Sequence, residues 1–150
     1  MANIDVQIAS SNDHIPANEK FLLWFKHCLP ENKMHSEVSL RIVEVSEIQM
    51  LNLQYRGKDK PTNVLSFECG LPDEIGVPLL GDIVICADVV EREAGDYNKP
   101  LEDYWAHMFI HGTLHLLGYD HVQESDAHIM EGKEKQILTR LGYAEPYTPN

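Results

Sequence analysis

The sequence predicts one domain of the α/β or α+β class. Stretches in which apolar and polar residues alternate occur between stretches with helical periodicity, and this mixture of strands and helices decides the class. The length of 150 residues is that of an ordinary single domain. An apolar fraction of 43% and a charged fraction of 24% are close to globular averages and disfavour disorder, collagen-like repeats and a coiled coil. We therefore assign residues 1–150 to one domain.

Four segments have the pattern of β-strands. Apolar residues alternate with polar residues over 4–8 and again over 38–42, as in strands that bury one face. Two further short strands are predicted at 64–67 and 82–86, where β-branched and other apolar residues are concentrated. These strands supply the sheet of the predicted domain.

Helical spacing of apolar residues predicts about five helices. They span roughly 16–29, 46–57, 87–94, 100–118 and 123–141. We place Pro16 in the first turn of the first helix and Ser46 at the N-cap of the second. Gly57, Gly118 and Gly142 are expected to end the helices that precede them, because glycine adopts the left-handed conformation found there.

The charge of the chain argues against broad, salt-sensitive binding of nucleic acid. It has 12 Lys and Arg residues and 24 Asp and Glu residues, which gives a formal net charge of −12. The acidity is concentrated, because residues 61–110 hold 2 basic and 10 acidic side chains while residues 1–60 hold 7 and 8. A local basic site outside the middle third is therefore still possible.

The sequence favours a cytoplasmic location. Three cysteines without a C-x-x-C pair indicate reduced thiols. The first residues, MANIDVQIASSNDH, lack the basic start and the apolar core of a signal peptide. No stretch approaches 18 apolar residues, so no membrane-spanning segment is predicted. The glycines fit neither nucleotide-binding pattern, so no nucleotide cofactor is predicted.

The string HGTLHLLGYDH at 111–121 is the strongest functional motif. A helix places His111 and His115 on one face, and a turn at Gly118 can bring His121 back towards them. Three neutral imidazoles with an open fourth position are typical of a catalytic zinc site. The motif therefore predicts one divalent metal ion, with Zn2+ favoured. The alternatives are a partly buried polar helix face without a metal, and a metal with a structural role only.

The same histidine spacing occurs in zinc proteases, which need Glu directly after the first histidine as the general base. Here that position is Gly112. We expect it to leave open space beside the first ligand, and one hypothesis is that this space admits a bulky phosphodiester. Asp120 either orients a ligand imidazole or caps the last helix. His107, one turn before the motif, either lies behind the ligands, faces substrate or is an ordinary partly exposed histidine.

A basic loop precedes the third predicted strand. Arg56, Lys58 and Lys60 lie within five positions, with Asp59 between them. Such a run is usually a solvated loop. A metal site that cleaves phosphodiesters, however, needs cations to stabilise the charge of the transition state. Arginine suits this role because its planar fork binds two phosphate oxygens at once. Arg56 is therefore a catalytic candidate.

Together with YRGKDKPTNVLSF at 55–67 and LLGDIVIC at 79–86, the histidine string resembles the YbeY family of bacterial endoribonucleases, also called rRNA maturation factors. The resemblance implies a small mixed four-stranded sheet packed with helices, with a metal-bearing helix distantly like that of zinc proteases. It implies action on single-stranded RNA, in 3′-end maturation of small-subunit rRNA and in ribosome quality control. It also implies association with components of the small ribosomal subunit, in the cytoplasm.

The resemblance implies roles for individual residues as well. The metal ligands are His111, His115 and His121. Arg56 is implicated in RNA cleavage. Candidates for substrate binding are Lys58, Lys60, Ser66 and His107. Asn63 and Glu68 depart from the Asp and the Pro that are common at these positions in the family, and neither change affects the ligand set.

Two other functions stay open at this point. One is a metallohydrolase of another substrate, peptide above all, although the general base of such enzymes is missing. The other is a ribosome assembly factor without catalysis, in which the metal stabilises the fold and the acidic surface binds a basic ribosomal protein.

Overall fold

One four-stranded sheet organises the fold, which a computed structural model describes for residues 1–69, 78–119 and 123–147. The strands are β1 (Asn3–Ala9), β2 (Glu37–Val43), β3 (Val64–Glu68) and β4 (Leu79–Cys86). Their order in the sheet is β1-β2-β4-β3. The pairs β1–β2 and β2–β4 are parallel, while β3 is an edge strand antiparallel to β4. The predicted mixed four-stranded sheet is confirmed.

The described part of the chain also contains five α-helices, and this confirms the predicted α+β class. They are α1 (Asn18–Cys28), α2 (Val45–Arg56), α3 (Ala87–Asp96), α4 (Leu101–Leu116) and α5 (Glu124–Arg140), of which α5 packs against α4. A short 3₁₀ helix at Glu31–Lys33 follows α1. None of the helices within the described ranges is both long enough and apolar enough to cross a membrane.

Two predicted helix starts are wrong. The N-cap of α1 is Ala17, so Pro16 precedes the helix instead of occupying its first turn. The N-cap of α2 is Glu44 and not Ser46, and the Glu44 carbonyl accepts the N–H of Ile48 at 3.3 Å. Neither N-cap side chain hydrogen-bonds to its own helix. The residue types that usually identify a helix start are therefore absent from these caps.

The two faces of the sheet are covered by different helices. On β4, Ile83 and Ile85 point into the larger apolar cluster, which contains α1 and α4. Val84 and Cys86 point into a smaller cluster with Ile48 of α2. Because β4 is buried on both faces, its sequence is almost continuously apolar. The strand begins at Leu79, earlier than the predicted start at Asp82.

An aromatic cluster holds α4 against α1. Phe21, Trp24, Trp105 and Phe109 are fully buried. The ring centroid of Phe21 lies 5.4 Å from that of Phe109 and 5.7 Å from that of Trp105. Such pairs contribute about 0.5–1.5 kcal/mol each beyond the burial of their area. Trp105 and Phe109 are four residues apart, so they fix which face of α4 points towards α1 and leave another face for the histidines.

Gly112 marks the closest approach of α4 to the sheet. A Cβ at this position would lie 3.1 Å from Ile83 Cγ2, 3.1 Å from Ser66 Oγ and 3.2 Å from Val64 Cγ2. The space beside His111 is therefore filled by β3 and β4. The hypothesis that Gly112 leaves room for a phosphodiester is wrong, because a missing side chain here allows close packing and not an opening.

Replacing Gly112 by Ala should destabilise the protein, whereas the same replacement at Gly132 should stabilise it. Helix propensity favours Ala by about 1 kcal/mol at both positions. Crowding against the fully buried Ile83 costs about 1–3 kcal/mol, so we expect a net loss of about 1 kcal/mol at Gly112. At Gly132 of α5 no atom lies within 4 Å of the new Cβ. Urea titration measures both changes, and an equal gain at the two glycines would contradict the close contact.

Candidate active site

A cleft of about 170 Å³ lies beside β3, an edge strand of the sheet. It is lined by Arg56, Thr62, Asn63, Val64, Ser66, His111 and His115. These residues come from the end of α2, the segment before β3, β3 itself and α4. Four of the predicted site residues, which are distant in sequence, therefore share one cleft: Arg56, Ser66, His111 and His115.

The histidine pair lies on adjacent turns of α4. The ring centroids of His111 and His115 are 5.2 Å apart, with 77° between the ring planes. The predicted third ligand, His121, and its neighbour Asp120 lie outside the described residues. Among residues 1–69, 78–119 and 123–147, no group of three His, Cys, Asp or Glu side chains is placed to hold a metal ion. Those ranges contain two of the three predicted ligands.

A buried carboxylate joins α5 to the histidines of α4. Glu134 is fully buried, and its Oε2 lies 2.9 Å from Nδ1 of His111. Its Oε1 lies 2.7 Å from Nε2 of His107 and accepts a hydrogen bond of 2.6 Å from the Tyr147 hydroxyl. Both carboxylate oxygens are therefore used, and three donors surround one acidic group.

The Glu134 carboxylate is ionised at neutral pH. Burial raises the pKa of the Glu134 carboxyl, but the hydrogen bonds with His107 and His111 and the electrostatic influence of the two rings lower it to about 2. An ionised carboxylate only accepts hydrogen bonds, so the ring nitrogens that face it must donate. In His111 the nitrogen that faces the carboxylate is Nδ1. When this ring is neutral its lone pair is on Nε2, as a metal ligand requires.

Glu134 was missed by the sequence reasoning, although one signal pointed to it. The buried positions of α5 are Met130, Glu134, Ile137 and Leu138, which follow helical spacing. A carboxylate in an otherwise apolar stripe must have buried partners. The sequence does not show which partners these are, since they lie on α4 and after α5.

Three of the predicted substrate-binding residues lie outside the lining of the cleft. His107 faces Glu134 and Tyr147, and its side chain is 12% exposed. Lys58 and Lys60 are exposed in the loop between α2 and β3. Roles in substrate binding stay predictions for these three residues.

Hydrogen bonds to backbone groups of the loop after Arg56 hold that loop against α2. Gly57 adopts a left-handed conformation with φ of 70°, which ends the helix where the sequence predicts. The buried Asn52 donates from Nδ2 to the carbonyl of Lys60 at 2.9 Å and accepts the N–H of Lys58 on its own carbonyl at 3.3 Å. Arg56 thus stands at the start of an ordered loop with exposed side chains.

Two polar residues of the cleft wall hold neighbouring elements together. Ser66 donates from Oγ to the carbonyl of Gly112 at 2.9 Å, which joins β3 to α4 beside His111. Asn63 donates from Nδ2 to Glu93 Oε1 at 2.9 Å, and the same oxygen accepts the Tyr104 hydroxyl at 2.8 Å. These contacts give both residues a structural role in shaping the cleft.

Comparison with known proteins identifies the family. The family model described as endoribonuclease YbeY matches residues 6–142. The chain belongs to the YbeY endoribonuclease family. A solution structure of TM1509 from Thermotoga maritima is similar in fold, with a TM-score of 0.57 and 28% sequence identity over 95% of this chain and 99% of that chain. Membership of the YbeY family supports an endoribonuclease role in rRNA maturation, with RNA as the substrate.

Replacing Asn63 by Asp should destabilise this chain. The change places a carboxylate where Nδ2 now donates to Glu93 Oε1. Loss of a hydrogen bond to a charged acceptor costs about 1.5–3 kcal/mol. In the double variant N63D/E93Q a donor and an acceptor face each other again, so we expect most of the lost stability to return. Urea unfolding of both single variants and the double variant measures the coupling, and purely additive effects would contradict the pairing.

Proposed function

We propose that the chain is a metal-dependent, single-strand-specific endoribonuclease, with residues 1–150 as one catalytic domain. It acts in 3′-end maturation of small-subunit rRNA and in ribosome quality control, in the cytoplasm. The observation that supports this proposal is that Arg56, His111 and His115 line the same cleft. Membership of an endoribonuclease family indicates RNA as the substrate and a phosphodiester as the bond that is cleaved. The cleft contains the residue types that this cleavage requires.

The residues of the cleft fit a divalent metal ion. His111 and His115 lie on adjacent turns of α4, with 5.2 Å between their ring centroids. The carboxylate of Glu134 faces Nδ1 of His111, so Nε2 is the nitrogen that would bind the ion. We propose His111, His115 and His121 as the ligands, and Zn2+ as the ion, because imidazoles suit zinc and leave a coordination position open. When bound, such an ion polarises a phosphoryl oxygen and lowers the pKa of a water molecule.

Arg56 is the proposed partner of the scissile phosphate. It is the last residue of α2, its side chain is exposed, and it lines the same cleft as the histidines. Its guanidinium binds phosphate oxygens in a bidentate manner and stabilises the charge that develops on them. Ser66 and Asn63 hold the wall of the cleft, so the phosphate meets a preformed surface.

The net charge of −12 limits how tightly the chain alone holds RNA. If Arg56, Lys58 and Lys60 all contacted phosphates, log K would fall with log[salt] with a slope of only about −2. Most binding energy for a long RNA must then come from elsewhere. We propose that basic components of the small ribosomal subunit deliver the RNA to the cleft.

Replacing Arg56 by Gln should lower the rate of RNA cleavage by about 10²–10³-fold, the usual effect of removing one donor to a transition-state oxyanion. Arg140 provides a matched control. It also lies in the last turn of its helix and is exposed, but it is not part of the cleft lining. R140Q removes the same charge and should leave the rate unchanged. Single-turnover cleavage of a labelled single-stranded RNA measures both rates, and equal losses would refute the specific role of Arg56.

Replacing His115 by Ala should remove both the bound metal and the cleavage of RNA. Metal analysis of the purified wild-type chain should find one divalent ion per chain, and a chelator should abolish cleavage until Zn2+ is restored. His128→Ala is the control, because the His128 side chain is 75% exposed on α5. Cleavage that survives in H115A would overturn the proposed site. Cleavage of casein that is lost with chelator would favour a peptide hydrolase instead.

A further inference from the structure

We propose that Glu134 is a positioning residue, which fixes the orientation and the tautomer of His111 so that Nε2 is available to the metal ion. This inference rests on the metal site of the proposed function. Among the described residues that line the cleft, Glu134 is not included, and it contacts one of them, His111.

The burial of Glu134 is the first support. The residue has no exposed surface, and a carboxylate in such a place is costly unless donors surround it. Three donors do so, two histidines of α4 and a tyrosine that follows α5. A carboxylate that only linked two helices would not require a histidine of the cleft as one of its partners.

The division of the donors between the two oxygens is the second support. His107 and Tyr147 both bind Oε1, at 2.7 Å and 2.6 Å, while Oε2 faces Nδ1 of His111 at 2.9 Å. Two contacts on one oxygen oppose rotation of the carboxylate. Oε2 is therefore held towards the His111 ring, which in turn is held in one orientation.

The chemical consequence concerns the tautomer of His111. A neutral imidazole carries one hydrogen, and the nitrogen without it carries the lone pair. The carboxylate accepts a hydrogen from Nδ1, so the lone pair belongs to Nε2. Carboxylate partners of this kind are typical of histidine ligands, and their removal usually weakens metal binding by 10- to 100-fold, as an order of magnitude.

The matched test replaces Glu134 by Gln in the full chain. Gln keeps the shape but offers one acceptor and one donor, so it cannot accept hydrogen bonds from both histidines. We expect the dissociation constant for Zn2+, measured by competition with a chromophoric chelator, to rise by about 10- to 100-fold. The absorption spectrum of bound Co2+ should change as well. Glu131→Gln, which removes the same charge from the same helix, should leave both measurements as in the wild type.

A purely structural role makes a different prediction. E134Q would then melt at a lower temperature without metal, but the folded variant would bind Zn2+ and give a Co2+ spectrum like the wild type. That result would overturn the inference.

A second measurement needs no variant at Glu134 and holds even if E134Q fails to fold. Nitrogen-15 NMR of the imidazoles of the metal-free wild-type chain distinguishes the two tautomers, and the signals of His111 are identified by their absence in His111→Ala. We expect the hydrogen on Nδ1. A ring whose Nδ1 carries no hydrogen would overturn the inference.

The two proposals fail in different ways. If H111A and H115A bind Zn2+ as tightly as the wild type, the metal site of the proposed function is wrong. If these variants lose Zn2+ while E134Q keeps it, the metal site stands and only the role of Glu134 is refuted.

Discussion

The close packing of α4 against the edge of the sheet is the constraint on which the candidate site depends. At Gly112 the helix meets β3 and β4 without an intervening side chain, and Ser66 donates a hydrogen bond to the carbonyl of that glycine. On the other side, Phe109 packs in the aromatic cluster of α1. Because α4 is held from both sides, the position of His111 relative to the Arg56 loop is fixed before any ligand binds. The cleft is therefore a property of the fold and not of the loop alone.

Most of the fold could be predicted because each buried face leaves a pattern within a few residues. Alternation identified β1 and β2, and helical spacing identified all five helices of the described chain. The end of α2 at Gly57 was predictable because glycine readily adopts the left-handed backbone conformation found there. Helix starts were not, since Ala17 and Glu44 cap with their backbone only. The prediction for Gly112 failed because a sequence shows that a side chain is missing but not which neighbours fill the space.

The site was predictable to the extent that its chemistry is local. The spacing of His111 and His115 places them together on any helix, and the cationic nature of Arg56 is evident from the sequence. Their meeting in one cleft depends on the order of strands in the sheet, which no short motif contains. The role of Glu134 was not predicted for the same reason. Its partners lie on a different helix and in the segment around Tyr147, so its role appears only when the helices are packed.

The aromatic cluster has a practical consequence for studying this chain. Both of its tryptophans, Trp24 and Trp105, are fully buried where α1 meets α4, and Trp24 Nε1 donates a hydrogen bond to the Tyr143 hydroxyl at 3.1 Å. Neither tryptophan lines the cleft. Indole fluorescence shifts to longer wavelengths when water reaches the ring. The intrinsic emission of the protein therefore monitors the docking of α4 without a label, and it is separated in space from the chemistry at Arg56.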